Sequence, residues 1–456
     1  MFSRRALIRR SSAGILYFLG MAGERAMATS QGTPVVNLDQ QLRELVEDPH
    51  APLASLSVLV QHRDEVVYEA QFGRRYISSK GPAEDLPVTS QTLFRIASIT
   101  KLTVSMCAMR LVEAGMLDLD ADIGHLLGYR VRHPAHPAVP ITPRLLMSHR
   151  SGLSDAGNDL LDGRTDLRAL LFESRDALGA RNAWGKGRPG VYFEYSNLNF
   201  IVLAAALECA SGLRFDRLMQ SWILDPLDMA GGFDTSRLDP AVQAQVATLY
   251  RKAVNDESTW DPAGPWYAQT DDVRAAPPQP LDAQLPEPYV PGSHPALFGP
   301  QGRLRTRVHD LAKLATLFQS RGRYKGRQIL RPESVQAMMT ETWRSNLLDG
   351  PDANGDDDHG TFQAWGLGMQ HFIDRSKPGW GDRLQAAGGI QAWGHLGFAY
   401  GLVSGLLVDP SSGCSIVYII GGTGADPAQH PGAYSSFPIW EERLQGLLWH
   451  RAASRS

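Results

Sequence analysis

Three cysteines in 456 residues are too few and too far apart to staple a fold. Cys107, Cys209 and Cys414 are odd in number, and each falls in an apolar helix-like or strand-like run. They read as buried free thiols rather than as a disulfide framework. Long apolar runs are also missing: beyond the N-terminus nothing approaches the roughly 20 residues that a membrane helix needs. Positive charge is not in excess, with 45 Lys and Arg against 48 Asp and Glu, so no nucleic-acid partner is expected. A G-x-S-x-G elbow is absent, which excludes the α/β-hydrolase arrangement of a nucleophilic serine. What remains is 43% hydrophobic and 20% charged. That is an ordinary globular composition, long enough for two domains or for one large unit carrying an insertion.

The first 28 residues read differently. Arg4, Arg5, Arg9 and Arg10 form a basic region, residues 13–23 (AGILYFLGMAG) a short apolar stretch, and Ala26-Met27-Ala28 a small-x-small cleavage signal. The segment SRRALIR (3–9) is similar to a twin-arginine export signal, which addresses a bacterial protein for export after it has folded. The expectation is a periplasmic or secreted protein with residues 1–28 removed and no stable membrane span afterwards. Cleavage takes away five arginines and one glutamate, so the formal net charge moves from −3 to −7.

A helical pattern at 37–48 (NLDQQLRELVED) precedes two β-rich runs, 55–61 and 65–71, joined by a polar turn. The far end mirrors this. There, 400–409 (YGLVSGLLVD) and 414–421 (CSIVYIIG) flank a turn-forming DPSSG, and an amphipathic helix closes the chain. Strands at both ends predict an α/β (α+β) fold: one antiparallel sheet built from both chain ends and flanked by helices, with a mainly helical insertion between. Residues 29–125 and 300–456 are assigned to the sheet domain, and 126–299 to the helical one. Helical patterns fall at 143–150, 197–209, 214–226, 307–320 and 332–340. Between 251 and 300 the patterns stop and ten of the 29 prolines gather. A long ordered loop with little regular structure is expected there, either covering a cleft or decorating the surface. The acidic stretch 351–360 lacks the glycine and terminal glutamate of an EF-hand calcium loop, so it reads as a solvated turn. Neither a metal nor a cofactor is expected.

One apolar helical pattern carries chemistry. In FRIASITKLTVSMCAMRL (94–111), Ser98 and Lys101 stand three residues apart, a spacing that puts their Cβ atoms roughly 5–6 Å from each other on one helix face. A serine hydroxyl needs a base to become a nucleophile, and a lysine amine serves only where dry surroundings lower its pKa. An SxxK arises by chance about once or twice in a chain of this length, so the pair needs company. Tyr195-Ser196-Asn197 supplies some, just ahead of a strong helical pattern. A phenol can shuttle a proton beside a cation, and an amide can fix a lysine and donate to a substrate carbonyl. As a bare loop and N-cap the same residues would be ordinary. The third stretch is a basic residue followed by x-Gly on a strand. Of Lys377-Pro378-Gly379, His395-Leu396-Gly397 and His430-Pro431-Gly432, the two that contain proline are unsuited to an inner strand. That leaves His395.

In this order, SITK, YSN and HLG resemble the motifs of the serine β-lactamase and penicillin-binding-protein superfamily. The resemblance is to the branch of class C β-lactamases, D-alanyl-D-alanine carboxypeptidases and family VIII carboxylesterases. LLMSHRSGLSD (145–155), FDRLMQSWILDPLDM (215–229) and GRLRTRVHDLAKLATLF (302–318) are similar to further segments of that family, so the likeness runs from about 37 to 450. It implies a β-lactamase/transpeptidase-like fold with Ser98 as the nucleophile of an acyl-enzyme and Lys101 as its activating partner. Tyr195 would be the proton shuttle, Asn197 a substrate-amide contact, and His395 the third-motif residue. Gly397 and Phe398 would border the substrate, with the backbone N–H groups of Ser98 and Phe398 forming the oxyanion hole. Which of Lys101 and Tyr195 acts as base is disputed among the family's relatives.

Leu396 departs from the Thr or Ser usual between the basic residue and the glycine. A leucine cannot hold a substrate carboxylate, which shifts the expectation from penicillin hydrolysis toward an ester or a non-carboxylate amide. Asn197 pulls mildly the other way, since esterases of this branch often lack it. The expected function is an exported serine hydrolase acting on a small-molecule ester, amide or D-peptide. The alternatives are a D-alanyl-D-alanine carboxypeptidase, a class C-like β-lactamase, or a penicillin-binding-like sensor that kept the fold without turnover.

Overall fold

A computed structural model describes residues 37–155, 165–172, 183–253 and 259–454. The expected export segment, residues 1–28, lies outside them. Five long strands carry the architecture: β1 (Ser55–His62), β2 (Glu65–Tyr76), β3 (Ala392–Ala399), β4 (Leu402–Asp409) and β5 (Cys414–Ile420). They pair antiparallel in the spatial order β3-β4-β5-β1-β2. The two ends of the chain therefore meet at the β5–β1 pair, as the mirrored hairpin patterns predict. Short strands at Gln370–Phe372, Ala364–Trp365 and Trp343–Arg344 extend the sheet beyond β3, and Leu86–Pro87 extends it beyond β2.

Four longer helices flank the sheet, α1 (Leu38–Val46), α2 (Ile99–Glu113), α4 (Val308–Gln319) and α5 (Ile439–Ala453), and a fifth, α3 (Leu198–Ser211), packs on α2. Successive side chains on a strand point to opposite faces, and both faces here are covered. Leu56, Val58 and Val60 of β1, with Ile416, Tyr418 and Ile420 of β5, pack against Leu42 and Leu45 of α1 and Leu444 and Leu448 of α5. Leu59, Val417, Ile419 and Leu406, on the other face, join a larger core shared with α2, α3 and α4. This double coverage is why β4 is buried along its whole length and its sequence shows no polar alternation.

Helix α3 is apolar all round because it is buried all round, from Leu198 to Glu208. Gly212, at φ +69, ends it in the left-handed conformation. The buried Glu208 carboxylate near its end accepts hydrogen bonds from the Phe215 and Gly292 N–H groups and from Tyr289 O–H. Burial pushes that carboxyl up to about 7. In this way the helix anchors the proline-rich segment.

Within 251–300 the described residues hold one complete strand, Trp266–Thr270, and two short helical turns, Leu281–Gln284 and Pro295–Phe298, so the segment is the loop of little regular structure that its composition predicts. Leu249–Lys252 and Trp266–Thr270 pair antiparallel, and Gly422–Thr423, just beyond β5, joins them in parallel. The pairing edge comes from the far end of the chain, which no local pattern reveals. The three cysteines are free; Cys107 and Cys414 are buried, whereas Cys209 is only partly so. Among the described residues no single helix is long and apolar enough to cross a membrane.

Candidate active site

The turn before Ser98 is held from two sides. Phe94–Arg95 pairs with Arg305–Thr306, and the Ile96 N–H donates to the Leu304 carbonyl at 3.0 Å. From the sheet, Ser404 Oγ of β4 donates to the Ile96 carbonyl at 3.1 Å. Between these anchors Ala97 adopts φ +46, a left-handed conformation that costs an L-residue roughly 1–2 kcal/mol. The reversal brings Ser98 to the N-terminus of α2, partly exposed, while Ile99 through Met109 behind it are buried. At a helix N-terminus the free N–H groups and the helix dipole favour negative charge.

Lys101 lies one turn into α2 and is 0% exposed. Its Nζ sits 2.9 Å from Ser98 Oγ, 2.8 Å from Asn197 Oδ1 and 2.7 Å from the Gln301 carbonyl oxygen. Burial lowers its pKa to about 7, and the Asp155 carboxylate opposes the drop. The three contacts suit either charge state. An ammonium donates to all three oxygens. A neutral amine donates to the two carbonyls and turns its lone pair to the serine hydroxyl, which is the geometry of a base.

Asp155 sets the second motif. Its carboxylate accepts from Asn197 N–H and Leu198 N–H at the start of α3, and from Ser196 Oγ and Asn197 Nδ2, at 2.8 to 3.1 Å. An acidic group here satisfies otherwise free helix donors. It also fixes the Asn197 amide: with Nδ2 on Asp155, Oδ1 faces Lys101. Tyr195 stacks on His149 at 4.4 Å and on Phe362 at 4.9 Å between centroids. Lys101 Nζ lies 5.1 Å from the centre of the Tyr195 ring, a cation–π distance.

The third motif reaches the same place. In β3, Trp393 belongs to the core on the α2 side of the sheet and Leu396 to the core against the terminal helices. By strand alternation His395 and Gly397 face α2. A Cβ on Gly397 would lie 2.7 Å from the Ile96 carbonyl and 2.3 Å from Ser404 Oγ, so only glycine lets the strand pass this close beneath the turn that carries Ser98. His395 is 2% exposed. Its ring centre is 6.2 Å from that of Tyr195 and 5.4 Å from that of Trp365. Burial, together with nearby Lys101, pushes its imidazole down to about 3. Its Nδ1 lies 2.6 Å from the Leu396 carbonyl, while Nε2 is buried without a hydrogen-bond partner. Phe398 follows Gly397 with its side chain packed on the far face, and the Leu396 side chain, also there, takes no part in the cleft.

Ser98, Lys101, Tyr195, Asn197, His395 and Gly397 thus converge, from three distant stretches of chain. Three contributors escape the motif reading. His149 accepts the Ser196 N–H on Nδ1 at 3.1 Å and stacks on Tyr195. Burial lowers its pKa well below the usual imidazole value. Both His149 and Asp155 lie within 145–155, so an acid and an imidazole beside a matched segment were the available signal. Gln301 acts through its backbone carbonyl, for which side-chain chemistry offers none.

A family model described as Beta-lactamase matches residues 38–435. A 168-residue stretch, 36% of this chain, is 29% identical to 43% of the D-alanyl-D-alanine-carboxypeptidase/endopeptidase AmpH of Escherichia coli (strain K12). A 204-residue stretch, 42% of the chain, is 30% identical to 48% of Esterase EstB of Burkholderia gladioli. The chain spans less than half the length of these curated relatives. Among solved structures, D-amino acid amidase from Ochrobactrum anthropi SV3 aligns over 92% of this chain and 99% of that one, with a TM-score of 0.61 and 20% identity. That likeness is one of fold.

Proposed function

We propose that this chain, which belongs to the beta-lactamase family, is an exported serine hydrolase that cleaves a small ester or amide through an acyl-Ser98 intermediate. One observation carries the reading: a fully buried lysine amine, its pKa lowered to about 7, lies 2.9 Å from a serine oxygen at a helix N-terminus. A dry lysine beside a hydroxyl has no structural purpose that a leucine would not serve better.

In the proposed cycle the neutral Lys101 amine takes the Ser98 proton as Oγ attacks the substrate carbonyl. The ammonium that forms keeps Asn197 Oδ1 and the Gln301 carbonyl as acceptors. The tetrahedral oxyanion rests on the backbone N–H groups of Ser98 and Phe398, donors worth on the order of 3 kcal/mol each in such sites. The Lys101 ammonium returns its proton through Tyr195 to the leaving group; in deacylation the water's proton travels the reverse way, through Tyr195 to the neutral Lys101 amine, which hands it back to Ser98 Oγ as the acyl chain leaves. His395 stays neutral and offers Nε2 as an acceptor. With Leu396 turned away from the cleft, esters rank first as substrates, D-peptides second and β-lactams third.

A fluorophosphonate probe or a labelled penicillin should modify Ser98 in the mature protein, and Ser98→Ala should lose both labelling and turnover. Short-chain p-nitrophenyl esters, nitrocefin and a D-Ala-D-Ala peptide, compared by kcat/KM, order the substrates. Folded protein whose Ser98 takes neither label overturns the proposal.

A further inference from the structure

A cavity of about 720 Å³ shares one wall residue, Gln301, with the surroundings of Lys101. Its walls come from the proline-rich segment, from residues 299–305 and from Tyr400 just past β3. Gln301 belongs to both places: its carbonyl accepts from Lys101 Nζ, and the residue lines the cavity. It is 7% exposed, and its Oε1 is buried with no hydrogen-bond partner.

The charges around this cavity do not cancel. Arg95, Arg303 and Arg305 line it, against Asp271 and Asp272. The Asp271 carboxylate binds Arg95 through two bonds of 3.0 Å and also binds Arg305. Asp272 accepts from the backbone N–H groups of Arg274 and Ala275. Arg303 is the guanidinium left over. Among the described residues it makes no ion pair, its one hydrogen bond runs from Nη1 to the Leu297 carbonyl at 3.1 Å, and its Nε is buried without a partner. A guanidinium has five N–H donors; here Nε is buried without a partner among the described residues while the side chain, partly exposed, lines the cavity, where an anion would complete it through charge-assisted hydrogen bonds. The turn is shaped around this side chain. Gly299 stands at φ +59, and a Cβ there would lie 2.5 Å from Arg303 Cβ. Burial and the neighbouring Arg95 guanidinium work against the Arg303 charge, while the Asp271 and Asp234 carboxylates work for it.

We infer that Arg303 is a specificity-determining residue that seats a carboxylate of the substrate whose carbonyl acylates Ser98. The inference rests on the hydrolase reading above and narrows its substrate class to anionic esters and amides.

The test uses two matched pairs of esters, with the carboxylate on either side of the scissile bond. One pair is 3-(butyryloxy)benzoate and 3-(butyryloxy)benzamide; the other is monophenyl adipate and phenyl hexanoate. In the unaltered mature protein, at least one anionic ester should exceed its neutral partner in kcat/KM about tenfold or more, the scale of a charge-assisted hydrogen bond. In Arg303→Gln that ratio should collapse toward one, chiefly through KM, and Arg303→Lys should restore part of it. Equal treatment of both members of each pair by the unaltered protein overturns the assignment, and so does an anionic preference that survives in Arg303→Gln. Fluorophosphonate labelling, run alongside, separates the two readings: labelled Ser98 without anionic preference sinks only Arg303, whereas unlabelled Ser98 sinks the hydrolase.

Discussion

Replacing Lys101 with methionine tests the central electrostatic claim without a substrate. A lysine whose pKa falls from its ordinary 10.5 to about 7 on folding destabilises the fold wherever the unfolded chain holds the proton and the folded one does not. At about 1.4 kcal/mol per pH unit, the full effect is roughly 5 kcal/mol. The sign follows from linkage. Above 10.5 neither state is protonated at this site and the cost is absent. As pH falls toward 7 the unfolded state gains the proton, and stability drops. Below 7 both states hold it, and the cost stays constant.

Methionine removes that dependence while filling a similar volume. It also leaves Asn197 Oδ1 and the Gln301 carbonyl without their amine donor, at about 1–3 kcal/mol each, but this loss does not vary with pH. The observable is therefore a slope. Unfolding free energies from urea titrations of both proteins, subtracted at each pH, should change by roughly 3 kcal/mol between pH 6 and 9, with the native chain gaining as pH rises. The acid limb of kcat/KM should fall at the same midpoint near 7. A stability difference that stays flat from pH 6 to 9 would refute the argument, because Lys101 would then titrate as an ordinary exposed lysine.

Two further substitutions separate positioning from chemistry. Asp155→Asn removes the one charge that holds the Lys101 pKa up, so the acid limb of kcat/KM should move below 7. The loss of a charged cap at α3 should also cost about 1–2 kcal/mol in thermal melting; a lower melting point with an unmoved acid limb would reduce Asp155 to a cap. Gly397→Ala places a methyl 2.7 Å from the Ile96 carbonyl and should displace the turn that carries Ser98. Its kcat should fall about tenfold to a hundredfold, with a much smaller change in the urea midpoint. Full activity would show that the turn can shift freely.

Much of the site was legible in the order of residues because its chemistry is local. Ser98 and Lys101 are paired by helix spacing alone, and an unbroken apolar run around them already says that the amine is dry. The two hairpin patterns likewise carried the sheet, since strand alternation and turn residues are short-range properties. His395 was found by elimination, because proline is incompatible with an inner strand. Composition identified the proline-rich segment as a loop of little regular structure, but not that its short strand pair is joined at Leu249–Lys252 by Gly422–Thr423 from across the chain.

What the sequence determined by itself is the set of reactive groups and the kind of element each rides on, since hydrophobic period, turn chemistry and short spacings are written residue by residue. What only the tertiary structure decided is how those elements meet. Asp155 orients the Asn197 amide, Gln301 presents a backbone oxygen to Lys101, Gly397 lets β3 slide beneath Ala97, and Arg303 forms no ion pair among the described residues while its two neighbours share Asp271. Each depends on contacts between segments far apart along the chain, and the free energy of a charge or a hydrogen bond is set by everything packed around it, not by its neighbours in sequence.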